Sequence, residues 1–134
     1  MSSQEQLRRF GIDFFCALRL SWSEEMIPTD ERLDNALEKA LAEKTYVLPI
    51  TLHFVTGTTR VCCELAEMIS SAYSSQILFP DVFEQGSDRY KISPDGARRM
   101  LRQHDANNTA DVLTLTERIA KQYLPSEERT VRVG

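Results

Sequence analysis

The sequence predicts a small α+β domain in which a mixed β-sheet carries helices packed on its faces. Three observations lead there. The chain has 134 residues, 42% of them hydrophobic and 27% charged, which suffices for one core without disulfide or metal staples. Segments with apolar residues at alternate positions are interleaved with segments where they recur at helical spacing. No internal repeat, low-complexity tract or linker divides the chain. Residues 1–124 therefore read as one domain, and residues 125–134 as a polar, flexible C-terminal tail.

At the N-terminus, Ser2-Ser3-Gln4-Glu5 has the form of a capping box opening a short helix to about Arg9. Phe10, Ile12, Phe14, Cys16, Leu18, Leu20 and Trp22 then occupy every even position, with Asp13, Arg19 and Ser21 on odd ones. Period two is the strand signature, and Gly11 weakens a helix by about 1 kcal/mol against Ala. A strand is expected over 10–22, with a buried N-terminal helix as the alternative. Thr29 as N-cap, Asp30 and Glu31 at the dipole's positive end, and the stripe Leu33, Ala36, Leu37, Ala40, Leu41 predict a helix over 30–44.

Leu48, Ile50, Leu52 and Phe54 alternate and predict a second strand, held to an edge or a late start by Pro49. Thr56-Gly57-Thr58-Thr59 then turns the chain into a helix expected over 58–75, carrying Val61, Cys62, Leu65, Ala66, Met68, Ile69 and Ala72. Residues 77–83 and 89–92 flank Glu84-Gln85-Gly86-Ser87 as a hairpin, with Pro80 making its first arm an edge. Ser93-Pro94-Asp95 starts a helix to about Gln103. Asn107-Asn108-Thr109 breaks and re-caps the chain, and Val112, Leu115, Ile119 and Tyr123 form a last stripe before Pro125. The expected order is (α)βαβαββαα, with the first two strands parallel through a right-handed crossover.

Net charge is −4, which argues against non-specific nucleic-acid or anionic-membrane binding. The charge is uneven: residues 1–87 hold 13 acids and 7 bases, residues 88–134 hold 7 acids and 9 bases. No apolar run approaches the roughly 18–20 residues of a membrane span, and no signal peptide is expected. The odd cysteines Cys16, Cys62 and Cys63 show no C-x-x-C, and His53 and His104 stand apart. Reduced thiols in a cytoplasmic protein without metal or cofactor are the expectation.

The turn Thr56-Gly57-Thr58-Thr59-Arg60 is the best anion-site candidate, because a strand entering a helix offers free backbone N–H groups and Arg60 a guanidinium fork. T-G-T-T after a strand is similar to the phosphate-binding loop of flavodoxins, which implies a phosphate or nucleotide ligand. The same residues are also what a glycine turn and a threonine helix cap require. Cys62 and Cys63, expected in the first turn of that helix, could be activated thiols or core packing.

The string Y-K-I-S-P-D-G at Tyr90–Gly96 resembles the wing-to-helix junction of winged-helix transcription regulators. That resemblance implies DNA binding through Arg89, Lys91, Arg98, Arg99 and Arg102. It requires a recognition helix between the second helix and the hairpin. The hairpin-plus-helix end also resembles the thioredoxin fold; without C-x-x-C after the first strand, the chain would be a redox-inactive version. A solvated helix face is the simpler account of Arg98, Arg99 and Arg102.

No nucleophile, base and orienter can be assembled from spacing. The leading expectation is a non-enzymatic regulatory or adaptor protein that binds another protein. Phe15 breaks the polar face of the first segment and, with Trp22, offers a partner surface unless the chain's own helices cover it. A homodimer is compatible with this reading.

Overall fold

The computed structural model describes residues 3–22, 26–28, 31–56, 60–74, 79–80, 89–91, 94–103 and 106–124. The chain is an α+β fold in which helices dominate and the strands are short. Its centre is helix α1, Ser3–Ser21. The strand expected over 10–22 is therefore a helix, as the alternative reading had it.

The physical reason is coverage on every side. All residues from Phe10 to Leu18 are buried, Phe14 and Phe15 completely. Helices α3 (Leu65–Ser74), α4 (Pro94–Gln103) and α5 (Ala106–Arg118) all pack on α1. A helix enclosed in this way buries residues on every side, here Asp13 with the apolar ones, and its sequence loses the one-sided stripe that marks a surface helix. Gly11 is required rather than tolerated: a Cβ there would lie 2.8 Å from the Met68 backbone Cα. Trp22 ends the segment by donating its N–H to the Leu18 carbonyl at 2.8 Å and is itself buried.

Helix α2, Glu31–Glu43, matches the expected 30–44 closely, with Leu33, Ala36, Leu37 and Ala40 buried. Thr29, the expected cap, lies outside the described residues. Helix α4 runs over Pro94–Gln103 as its proline start predicts. Helix α5 begins at Ala106, so Asn107-Asn108-Thr109 lie inside it and do not break the chain. It buries Val112, Leu115 and Thr116, whose Oγ1 donates to the Val112 carbonyl at 2.8 Å. It continues into a π-helical turn, Ile119–Tyr123, closed by Leu124 N–H to Ile119 O at 2.8 Å.

The strands form two separate antiparallel sheets rather than one mixed sheet. Strand β1 (Met26–Pro28) pairs with β5 (Arg89–Lys91), and β5 with β4 (Phe79–Pro80), in the order β1-β5-β4. Strands β4 and β5 pair antiparallel as the expected hairpin requires, with Pro80 on the edge strand; the turn between them lies outside the described residues. The second sheet is the hairpin of β2 (Phe54–Thr56) and β3 (Arg60–Cys62).

No described pair of strands is parallel. The parallel crossover was expected from a first strand that is in fact α1. The thioredoxin-like alternative depends on that same strand and loses its basis with it. The helix expected over 58–75 begins only at Leu65, because Val61 and Cys62 pair with β2 instead. The buried apolar residues, from Phe10 to Leu124, form one cluster. The tail 125–134 lies outside the described residues.

Candidate functional site

The β2–β3 hairpin and the turn after it gather the chemistry that the core does not use. Strand register pairs Phe54 with Cys62, Val55 with Val61 and Thr56 with Arg60. Cys63 N–H donates to the His53 carbonyl at 2.8 Å, which carries the ladder one pair further. Opposed residues of an antiparallel pair share a face, and successive residues alternate. Cys62 accordingly points inward and is buried, while His53, Val55, Val61 and Cys63 are exposed on the other face.

Two carboxylates anchor this hairpin. Buried Asp34 on α2 accepts the Cys62 N–H at 2.8 Å, satisfying a backbone donor that the two-stranded ladder leaves over. Glu64 accepts the His53 backbone N–H at 2.6 Å through Oε1, and its Oε2 lies 2.9 Å from His53 Nδ1. Partial burial pushes the Glu64 carboxyl up, but the His53 backbone and ring hydrogen bonds outweigh it and leave the pKa below its ordinary value. With a carboxylate accepting at Nδ1, the ring proton belongs there and Nε2 is the nitrogen open to other chemistry.

The thiols divide by burial. Desolvation, with Asp13 adding to it, pushes Cys16 up to about 12. Desolvation also pushes Cys62 up to about 11, against the lowering effect of backbone hydrogen bonds from Glu64 and Leu65. Neither is a nucleophile at neutral pH. Cys63 alone is exposed.

A cleft of about 410 Å³ opens beside the dyad, walled by Leu7, Leu48, Pro49 and Ile50, with Gln6 and Thr51 joining His53 and Glu64 as its polar lining. A second cleft of about 360 Å³ lies between the end of α2 and α5. Its cations are already engaged: Arg118 bonds Glu43 at 2.9 and 3.3 Å, and Lys121 bonds Glu117 at 2.9 Å. Lys44 lies over the Tyr46 ring at 4.9 Å.

The residues singled out from sequence fall in different places. Thr56 and Arg60 are a hairpin pair, not a strand-to-helix junction, and α3 starts five residues after Arg60. The helix-dipole argument for an anion at Thr56–Arg60 therefore no longer applies; Gly57, Thr58 and Thr59 lie outside the described residues. Phe15 and Trp22 are buried and pack within the chain's own core, so neither offers a partner surface. Arg98, Arg99 and Arg102 are exposed on α4, with Arg98 3.1 Å from Asp95. Arg89 and Lys91 are on β5, which pairs with both β1 and β4.

No protein-family model, curated protein or solved structure matches this chain. Function must be read from the site itself. Among the described residues no cluster of three or more His, Cys, Asp or Glu side chains converges on one point. No described helix is long and apolar enough to cross a membrane.

A single helix expected over 58–75 hides the pairing of His53 with Glu64 and Cys63. The signal was there in the alternation itself: His53 and Val55 before the T-G-T-T turn, Val61 and Cys63 after it. Read as a hairpin, that spacing sets His53 opposite Cys63.

Proposed function

We propose that the chain is a non-enzymatic regulatory protein that works by binding another protein through the outward face of the β2–β3 hairpin. The observation that carries this is the directly paired Val55 and Val61, which remain 53% and 41% exposed on one face. Leu20, Val47, Tyr73 and Leu113 are also exposed, but Val55 and Val61 are directly paired, and this cross-strand pair of β-branched side chains is read as a surface awaiting cover. Val47, also exposed, leads into the same segment. The three unpaired cysteines support a reducing, cytoplasmic setting.

The test is co-purification from the native host with tagged wild-type chain and the Val55→Asp/Val61→Asp variant. A partner, which includes an untagged copy of the chain itself, should be recovered with wild type and lost with the variant. Identical recoveries from both would remove this reading. The two aspartates would face each other across the hairpin and repel, so a wild-type circular dichroism spectrum of the variant is the control for the comparison.

One observation favours a second reading, a winged-helix DNA-binding regulator. With α1 a helix, α3 occupies the place between second helix and hairpin that this reading reserves for recognition. The sequence of α3, LAEMISSAYS, contains no Lys or Arg and one Glu. Phosphate contacts draw chiefly on Lys and Arg, which makes α3 a poor partner for DNA. The exposed bases Arg98, Arg99 and Arg102 stand on α4 instead. Retarded DNA fragments at low salt, released by Arg98→Ala/Arg102→Ala, would put this reading first.

A further inference from the structure

We propose that the cleft beside the His53–Glu64 dyad binds an ammonium group carried on a short apolar stem. The inference rests on the lining of that cleft and not on the exposed Val55–Val61 pair.

At about 410 Å³ the cleft falls within the size range of small-ligand sites, roughly 300–1,000 Å³. Three separate stretches of chain converge on it: the N-terminal part of α1, the segment leading into β2, and the turn before α3. Leu7, Leu48, Pro49 and Ile50 form an apolar wall. Leu7, Leu48 and Ile50 also pack against the core, which holds that wall from behind. Such a wall shields an alkyl stem from water.

The polar lining decides the sign of the ligand. No Lys or Arg lines the cleft among the described residues, so it lacks the cation that a phosphate or carboxylate ligand calls for. Glu64 is its one carboxylate, and only 18% of that side chain is exposed. The His53 backbone N–H donates to Oε1 at 2.6 Å, and the ring Nδ1 lies 2.9 Å from Oε2. These bonds fix the carboxylate in place and keep it ionised at neutral pH.

A carboxylate offers about four acceptor positions, of which His53 occupies two. The Cys62 thiol, 3.9 Å from Oε1, is a weak third donor and leaves Oε2 open to another. With Nδ1 donating to Glu64, His53 Nε2 is an acceptor too. Gln6 and Thr51 add an amide carbonyl and a hydroxyl. The three N–H donors of an ammonium match this set of acceptors. A fixed negative charge in a partly enclosed cleft attracts that cation more strongly than the same charge in open water.

The experiment uses the reduced, isotope-labelled full chain, titrated with n-butylammonium chloride at constant ionic strength and followed by amide NMR. Two probes of equal size, n-butyrate and 1-butanol, are run beside it. The expected result is saturable shifts centred on Gln6, Leu48, Thr51, His53 and Glu64, with both control probes bound roughly tenfold more weakly or not at all. Glu64→Gln removes the charge and keeps the shape, and should weaken n-butylammonium binding by about tenfold or more. Thr51→Lys, at an exposed position, places a competing ammonium at the cleft. It should abolish binding while the circular dichroism spectrum stays that of wild type. Equal binding of n-butyrate or 1-butanol, shifts that do not saturate, or unchanged affinity in the two variants would each overturn the inference. A blocked lysine, Nα-acetyl-lysine N-methylamide, separates the sources of the group. Binding equal to that of n-butylammonium assigns the site to lysine side chains of proteins, and weaker binding assigns it to free amines; either upholds the ammonium site.

Discussion

Residues 10–18 carry large apolar side chains at alternate positions and form a buried helix, whereas residues 53–63, whose apolar residues are bunched at 54–55 and 61–63, form an exposed hairpin. The difference lies in what surrounds them. Helices α3, α4 and α5 and the π-helical turn pack on α1, so residues 10–18 are buried in every direction, Asp13 among them, and their alternation means nothing about a pleat. Strand β3 of the hairpin packs on α2, and there burial alternates along the strand, with Cys62 inward and Val61 and Cys63 outward. Period two reports a strand when one face stays in solvent; in a fully enclosed segment it is an accident of which apolar residues are large.

The sharpest way to test that contrast is thiol chemistry. Cys63 in the native protein should react with a small disulfide reagent at neutral pH as an open thiol. Cys16, buried in α1 and pushed up to about 12, should react only through unfolding, slower by a factor on the order of 10³ or more. Stopped-flow thiol counting should find one fast group per chain. Rapid modification of Cys16 would mean that α1 is not enclosed.

Truncation in the two regions should differ in the same sense. Phe14→Ala removes a fully buried ring that stacks edge-on with Phe15 at 5.3 Å, and should cost about 3–5 kcal/mol in denaturant unfolding. Gly11→Ala adds a single methyl where Met68 leaves no room and should cost about 1–3 kcal/mol. If 10–22 were a strand, the alanine would be harmless or favourable.

On the hairpin, Glu64→Gln should cost about 1 kcal/mol at neutral pH, since a charge-assisted pair of hydrogen bonds becomes a neutral one. Its sign with pH is definite. A carboxyl with a folded pKa below its unfolded one contributes stability above the unfolded value and loses it as pH falls through the folded value. Wild type should therefore lose its advantage over Glu64→Gln as pH falls below the ordinary glutamate range. An advantage that persists at the acid end would show that the His53–Glu64 contact does not form.

Much of the chain was legible without coordinates. Helix α2 is signalled by its stripe, α4 by proline at its first position, and the β4–β5 edge by Pro80. Each signal is local: a periodicity on a half-exposed surface, a fixed φ or a missing donor acts within a few residues of itself. The sequence by itself therefore determined an α+β chain with one apolar core and the position of its most regular elements. Only the tertiary structure decided that 10–18 is helical, because the enclosure by α3, α4 and α5 is a long-range fact. It likewise decided that Val61 and Cys62 join a hairpin, since Asp34 on α2 receives the Cys62 N–H from 28 residues away. The same hairpin brings His53 to Glu64 and Cys63, a meeting of side chains ten and eleven positions apart that strand register creates and helical spacing would have prevented.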